Sequence, residues 1–135
     1  MRKSVAAVCI LALVSLLLAG CAEQTGQQIV ADRCYTYSGE SFFGLENDPF
    51  TIAIHEDGTF WYYESALSSH IGIGTWSVAD DMLTLTEGAD TERQRINHFL
   101  IDGDDLVFVE EDSNNFIYIC VDDGELFYGS SMDAE

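Results

Sequence analysis

Positive charge is almost missing from this chain. Five lysine and arginine residues stand against 24 aspartates and glutamates, a formal net charge of −19 over 135 residues, and the only lysine is Lys3. Nucleic-acid affinity comes chiefly from cations that displace counterions from phosphates, so a surface this acidic excludes a nucleic-acid partner. The same repulsion argues against a protein face lying on anionic lipid. With no lysine beyond position 3, Schiff-base chemistry is excluded as well. There is one proline, Pro49, at the start of a strand-like segment, where a missing N–H does least harm. Beyond residue 20 no segment sustains a helical period. Acidic chains that stay disordered also lack aromatic residues. This one has eight Phe, six Tyr and two Trp in a 47% apolar composition, so it has the material of a core.

The long apolar run is single and N-terminal. Arg2 and Lys3 precede an uncharged stretch from Val5 to Leu18, which stops at Leu18-Ala19-Gly20-Cys21. The run is short for a membrane span, which needs about 18 or more apolar residues, and small residues before a cut are what processing requires. Leu18-Ala19-Gly20-Cys21 resembles the lipobox of bacterial lipoproteins. That resemblance implies diacylglycerol on the Cys21 thiol and cleavage between Gly20 and Cys21. It also implies a domain lipid-anchored to the bacterial cell membrane on its extracytoplasmic side, with the membrane a partner through the anchor alone. On this reading residues 1–20 are a signal peptide, 21–32 the lipidated cysteine and a flexible tether, 33–129 the folded domain and 130–135 a tail. Arg33, Arg93 and Arg95 are then the only cations left beside the 24 acidic residues.

Export bears on the cysteines. Cys9 leaves with the signal peptide and Cys21 carries the lipid, which leaves Cys34 and Cys120 in a disulfide-permissive compartment. They are expected to pair, two separate thiols being the alternative. A bridge closing so long a loop stabilises by about 4 kcal/mol in the chain-entropy picture.

From Cys34 onward the chain reads as short β-segments separated by acidic turns. The segments are Arg33 to Gly39, Pro49 to His55, Thr59 to Glu64, Ile71 to Val78, Met82 to Thr86, Arg95 to Ile101, Leu106 to Glu110 and Phe116 to Val121, with a further piece at Leu126 to Tyr128. Period-two alternation is plain in Phe50-Thr51-Ile52-Ala53-Ile54-His55 and in Met82-Leu83-Thr84-Leu85-Thr86. Glu56-Asp57-Gly58, Asp80-Asp81 and Asp102-Gly103-Asp104-Asp105 are turn formers. Regular strands joined by tight turns predict an all-β fold, a single antiparallel up-and-down barrel or sandwich of about eight short strands.

Several stretches resemble an uncharacterised family of small exported domains of clostridial gut bacteria: Asp57-Gly58-Thr59-Phe60, Tyr62-Tyr63-Glu64, Leu67-Ser68-Ser69-His70-Ile71-Gly72-Ile73-Gly74-Thr75-Trp76 and Asn97-His98-Phe99 among them. No activity comes with that family. Similar modules accompany membrane metallopeptidases resembling antibiotic sensors, which implies sensing. A more distant similarity is to lipocalins, whose Gly-x-Trp lies on the first strand; in this chain Gly74-Thr75-Trp76 falls in the fourth segment.

Chemistry is sparsely signalled. His55, His70 and His98 are separated too widely for a compact metal-ligand motif, and the acidic clusters Asp102, Asp104, Asp105 and Asp122, Asp123, Glu125 lack the frame of an EF-hand, so no metal or cofactor is expected. Ser65, Ser68 and Ser69 lie near His70 without a Gly-x-Ser-x-Gly elbow, and no enzyme is indicated. The run Phe60-Trp61-Tyr62-Tyr63 puts aromatics on both faces of one strand. One set must build the core, and the other must be covered by an extra layer, a partner or a ligand. Trp61, Tyr63, Trp76 and Tyr118 are the candidate ligand-contacting residues, whether the rings line a small apolar pocket or simply fill the barrel. The expected function is a non-catalytic accessory domain that binds or senses a small apolar ligand at the cell envelope. The alternative is an interaction protein that docks its aromatic face onto an envelope protein. A carrier needs an interior larger than its side chains fill, whereas a docking module is solid inside with an exposed apolar patch.

Overall fold

Alternation decides the architecture. In Thr59–Tyr63 the side chains of Phe60 and Tyr62 are buried while Thr59, Trp61 and Tyr63 are half-exposed, and the same two-residue rhythm runs through Met82–Glu87 and Asp105–Val109. The computed structural model describes residues 30–133. Cys21 and most of the tether therefore lie outside the described residues. Eight strands are present among the described residues: β1 (Arg33–Tyr37), β2 (Thr51–Ile54), β3 (Thr59–Tyr63), β4 (Gly72–Ala79), β5 (Met82–Glu87), β6 (Arg95–Asp102), β7 (Asp105–Val109) and β8 (Leu126–Ser131). Each pairs antiparallel with the next, and β8 returns to β1 to close an up-and-down barrel. Closure leaves these strands no free sheet edge.

The two ends of the barrel differ. At the base the strands are joined by short turns at 55–58, 80–81 and 103–104. Asp80 and Asp81 both take positive φ, 51° and 60°, the conformation a two-residue hairpin turn demands when its twist follows that of the strands. Beside Gly58 the Thr59 hydroxyl and N–H donate to Asp57, and these bonds hold the Asp57 carboxyl below the usual carboxylate range. Val30 is buried in the core cluster just before β1, and Asp32 accepts from the Glu56 N–H, so the described chain enters at this end. At the mouth lie the longer connections 38–50, 64–71, 88–94 and 110–125.

The lumen is packed. Tyr35, Phe50, Ile52, Ile54, Phe60, Tyr62, Leu83, Leu85, Phe99, Leu106, Phe108 and Phe127 are all essentially without solvent contact. Phe50, Phe99, Phe108 and Phe127 meet one another or their neighbours edge-on, with Phe99–Phe127 ring centroids 5.2 Å apart. Glycine permits two close approaches in the β4 wall. A methyl group on Gly72 would stand 1.9 Å from the Tyr62 ring, and one on Gly74 would stand 2.0 Å from the Thr86 carbonyl oxygen. Ile71 and Ile73 occupy the alternating positions and point outward, both exposed.

The barrel corrects one expectation. Phe116 to Val121 is not a strand; β8 is Leu126–Ser131, and the 110–125 connection crosses the mouth instead. Its apolar residues Phe116, Ile119 and Val121 face down into the core as a plug, which accounts for their strand-like appearance. Among the described residues no disulfide joins Cys34 to Cys120. Cys34 alternates with the inward Tyr35 and Tyr37 and so belongs to the outer wall of β1, while Cys120 alternates with the buried Ile119 and Val121 and is exposed over the mouth. The two thiols belong to different surfaces.

Candidate functional site: an aromatic wall beside a closed mouth

The mouth is shut by one buried carboxylate. Glu64, the residue after β3, is 1% exposed, and its Oε1 accepts from the Ile117 N–H at 2.8 Å while its Oε2 accepts from the N–H groups of Tyr118 and Ile119 at 2.6 Å each. Three successive amides converging on one anion form a nest, and the anion in this nest belongs to the protein itself. Asp48 works similarly one loop away. It is largely buried, accepts from the Ala66 N–H at 2.7 Å and from the Ser65 hydroxyl, and so fixes the start of the 64–71 loop. Beside it, the Tyr62 hydroxyl donates to Glu87 Oε2 at 3.0 Å and His70 Nε2 stands 3.1 Å from Glu87 Oε1. Burial first, and then the Glu87 carboxylate, push the Tyr62 hydroxyl well above its ordinary range. Burial and the Glu125 carboxylate do the same to Tyr37, whose hydroxyl donates to Glu125. These contacts fasten loops to strands.

Outside the barrel the other half of the aromatic run is half-exposed. Trp61 and Tyr63 project from β3 with near-parallel rings, 15° between planes and 5.5 Å between centroids. Register explains how they lie. Trp61 is opposite Ala53 on one side and Ile73 on the other, and Tyr63 is opposite Thr51, so small residues on β2 flank the rings on one side and an isoleucine stands on the other. Together with Ile71, Ala66 and His55 they line an open groove of about 660 Å³ that follows β3 from base to mouth. Ser65, Ser68 and Thr59 supply its few polar atoms.

The candidate residues inferred from the sequence are thus divided. Trp61 and Tyr63 share the wall. Trp76 faces inward near the base, packed against the core, with its indole N–H donating to the His55 carbonyl at 2.8 Å. Tyr118 sits on the mouth plug, its hydroxyl 3.3 Å from Ser69 Oγ and its ring 5.3 Å from that of Phe42. They do not converge on an interior pocket. The histidines also stand apart: His55 beside the wall, His70 on Glu87, and His98 with Nδ1 3.1 Å from the Thr84 hydroxyl. Among the described residues no group of His, Cys, Asp and Glu is placed to hold a metal ion. The acidic turns serve the fold: Asp104 pairs with Arg33 at 3.1 Å, Asp105 accepts from Gly129 N–H, and Asp123 from Glu110 N–H.

Several members of this surface were not singled out by sequence reasoning. Ile71 and Ile73 had a readable signal, since isoleucine alternating with glycine puts every bulky side chain on one face. Phe42, Phe43 and Leu67, all exposed, lie in loops where no periodicity assigns a direction. No protein-family model, no curated protein and no solved structure matches this chain.

Proposed function

We propose that this protein is a lipid-anchored, extracytoplasmic interaction domain without catalytic activity, which docks onto an envelope partner through the wall formed by Trp61, Tyr63, Ile71 and Ile73. The observation that carries this reading is a lumen filled by aromatic and aliphatic side chains beside an outer groove lined by the same kinds of residue. Among the described residues the lumen is filled by close-packed side chains, which favours docking over carriage. Anchoring rests on the lipobox resemblance at Leu18-Ala19-Gly20-Cys21. It is compatible with a barrel whose strands run four to eight residues, against the nine to eleven or so of a membrane-spanning strand, and whose apolar side is its inside. Attachment would then come from the acyl chains.

Photo-crosslinking in the producing cell tests the reading. A benzophenone side chain at position 71 or 73 is expected to yield one discrete adduct, whereas position 128, exposed on β8 across the barrel, yields none. Cys21→Ser should move the protein out of the membrane fraction. Equal labelling from 73 and 128, or no adduct at 71 and 73, contradicts docking through this wall.

A further inference from the structure

The wall does not end at the mouth. Leu67 is 67% exposed in the loop that caps the groove, and Ile71 and Ile73 are 59% and 63% exposed below it. From Ser69 the surface passes to Tyr118, then to the Phe42 ring, then to Phe43 with its centroid 4.6 Å from that of Phe42. An apolar band therefore climbs the β3–β4 wall to Leu67, and the Phe42-Phe43 pair stands beyond it on the rim, across the Ser69–Tyr118 hydroxyl contact. Exposed apolar surface of this extent marks an interaction site.

What lies around the band defines its occupant. Glu40 and Glu46 flank the Phe42-Phe43 pair in sequence and are exposed, and Glu56 and Asp57 are exposed in the turn between His55 and Thr59, at the base end of the groove. The cations at this end are Arg93 and Arg95, and Arg95 is engaged, donating to the Asn115 carbonyl and lying 4.0 Å from Glu87. Arg33 is at the opposite end, on Asp104. An apolar centre within a rim of one sign of charge complements an apolar centre within a rim of the other sign. A second copy of this chain brings another −19 and is repelled. An anionic bilayer is repelled in the same way.

We infer that the band takes a cationic polypeptide segment bearing apolar side chains, its apolar groups seated along Trp61, Tyr63, Ile71 and Ile73 and its lysines or arginines facing the acidic rim. This rests on the docking reading above and names the chemistry of the partner. Five residues of β3 give the groove a length on the order of 16 Å, which suits an extended segment of similar length or two to three turns of helix.

The test uses the full chain in nanodiscs of zwitterionic phosphatidylcholine, with empty nanodiscs as the baseline. Three synthetic peptides serve as probes: alternating lysine and leucine, alternating glutamate and leucine, and alternating lysine and serine, beside an uncharged apolar dye. The lysine–leucine peptide is expected to bind, with an affinity that falls about tenfold or more as salt is raised from about 50 to 500 mM. Leu67→Ser and Ile73→Ser, both at exposed positions, should each weaken it by roughly tenfold. Equal binding of the glutamate–leucine peptide, or insensitivity to both substitutions, overturns the inference. Binding of the dye alone at the groove overturns the cationic partner and leaves the wall as a binding surface. Silence from every probe removes both.

Discussion

Replacing Glu64 by alanine should unfasten the mouth, and the size of the effect follows from its three hydrogen bonds. A buried donor left without an acceptor costs about 1–3 kcal/mol. The Ile119 N–H is enclosed and bears the larger cost, whereas the N–H groups of Ile117 and Tyr118 are partly open and water repays part of theirs. The sum is about 3–5 kcal/mol, a large share of the ~5–15 kcal/mol that holds a domain together. With a urea slope of about 1–3 kcal/mol per molar, the unfolding midpoint should fall by roughly 2 M. Glu64→Gln should land between, because an amide keeps one accepting oxygen and turns an N–H₂ donor toward the nest. Hydrogen exchange locates the loss. The amides of 117–119 should exchange far faster in the alanine variant, while those of β5, whose ladder partners are β4 and β6, keep their protection relative to the new global stability. An unchanged midpoint with the 117–119 amides still protected would refute the argument that this carboxylate closes the barrel.

Other outcomes follow from packing and charge. Gly74→Ala drives a methyl group into the Thr86 carbonyl across the β4–β5 ladder, and Gly72→Ala drives one into a ring that Glu87 holds in place. Each should cost about 2 kcal/mol or more in thermal or denaturant unfolding, and a neutral result at both positions would count against the pairing of β4 with its two neighbours. Ile73→Ser removes an outward side chain that is 63% exposed and should change stability by no more than about 0.5 kcal/mol, which separates binding from folding in any docking assay. Alkaline titration should unfold the protein. Burial raises Tyr35 from 10 to about 12 and raises Tyr37 and Tyr62 too, so the folded form retains protons that the unfolded chain releases. Stability is then full below pH 10 and falls as pH climbs through the Tyr35 value. Tyrosinate absorbance followed together with circular dichroism should show a late step that coincides with loss of the sheet. A single smooth ionisation near pH 10 with the fold intact would contradict this.

The strands were legible because their information is local. Thr59–Tyr63 and Met82–Glu87 alternate in the primary sequence, and Asp80-Asp81 announces its own turn. Phe116 to Val121 misled for a physical reason. Apolar residues that plug a mouth and apolar residues in a ladder carry the same burial signal, and only the partner of the backbone N–H groups tells them apart. That partner, Glu64, is more than 50 positions away in the chain and looks like any other acid in a sequence that holds 24. The aromatic run Phe60-Trp61-Tyr62-Tyr63 revealed that one face needed a cover without revealing which face. Gly72, opposite Tyr62, decides it, since it leaves space for that ring on the inside. Trp76 and Tyr118 were grouped with Trp61 and Tyr63 by residue type, yet the barrel sends one to the base and the other to the rim.

The two tryptophans offer the most direct measurement, because one stands on the wall and the other seals the core. With 5-fluorotryptophan incorporated, the fluorine spectrum of the nanodisc-bound chain should contain one resonance from Trp61 and one from Trp76. Addition of the lysine–leucine peptide is predicted to shift the Trp61 resonance and leave that of Trp76 in place. Movement of the Trp76 resonance with Trp61 unaffected would mean that binding occurs inside the barrel, and the docking wall would have to be abandoned.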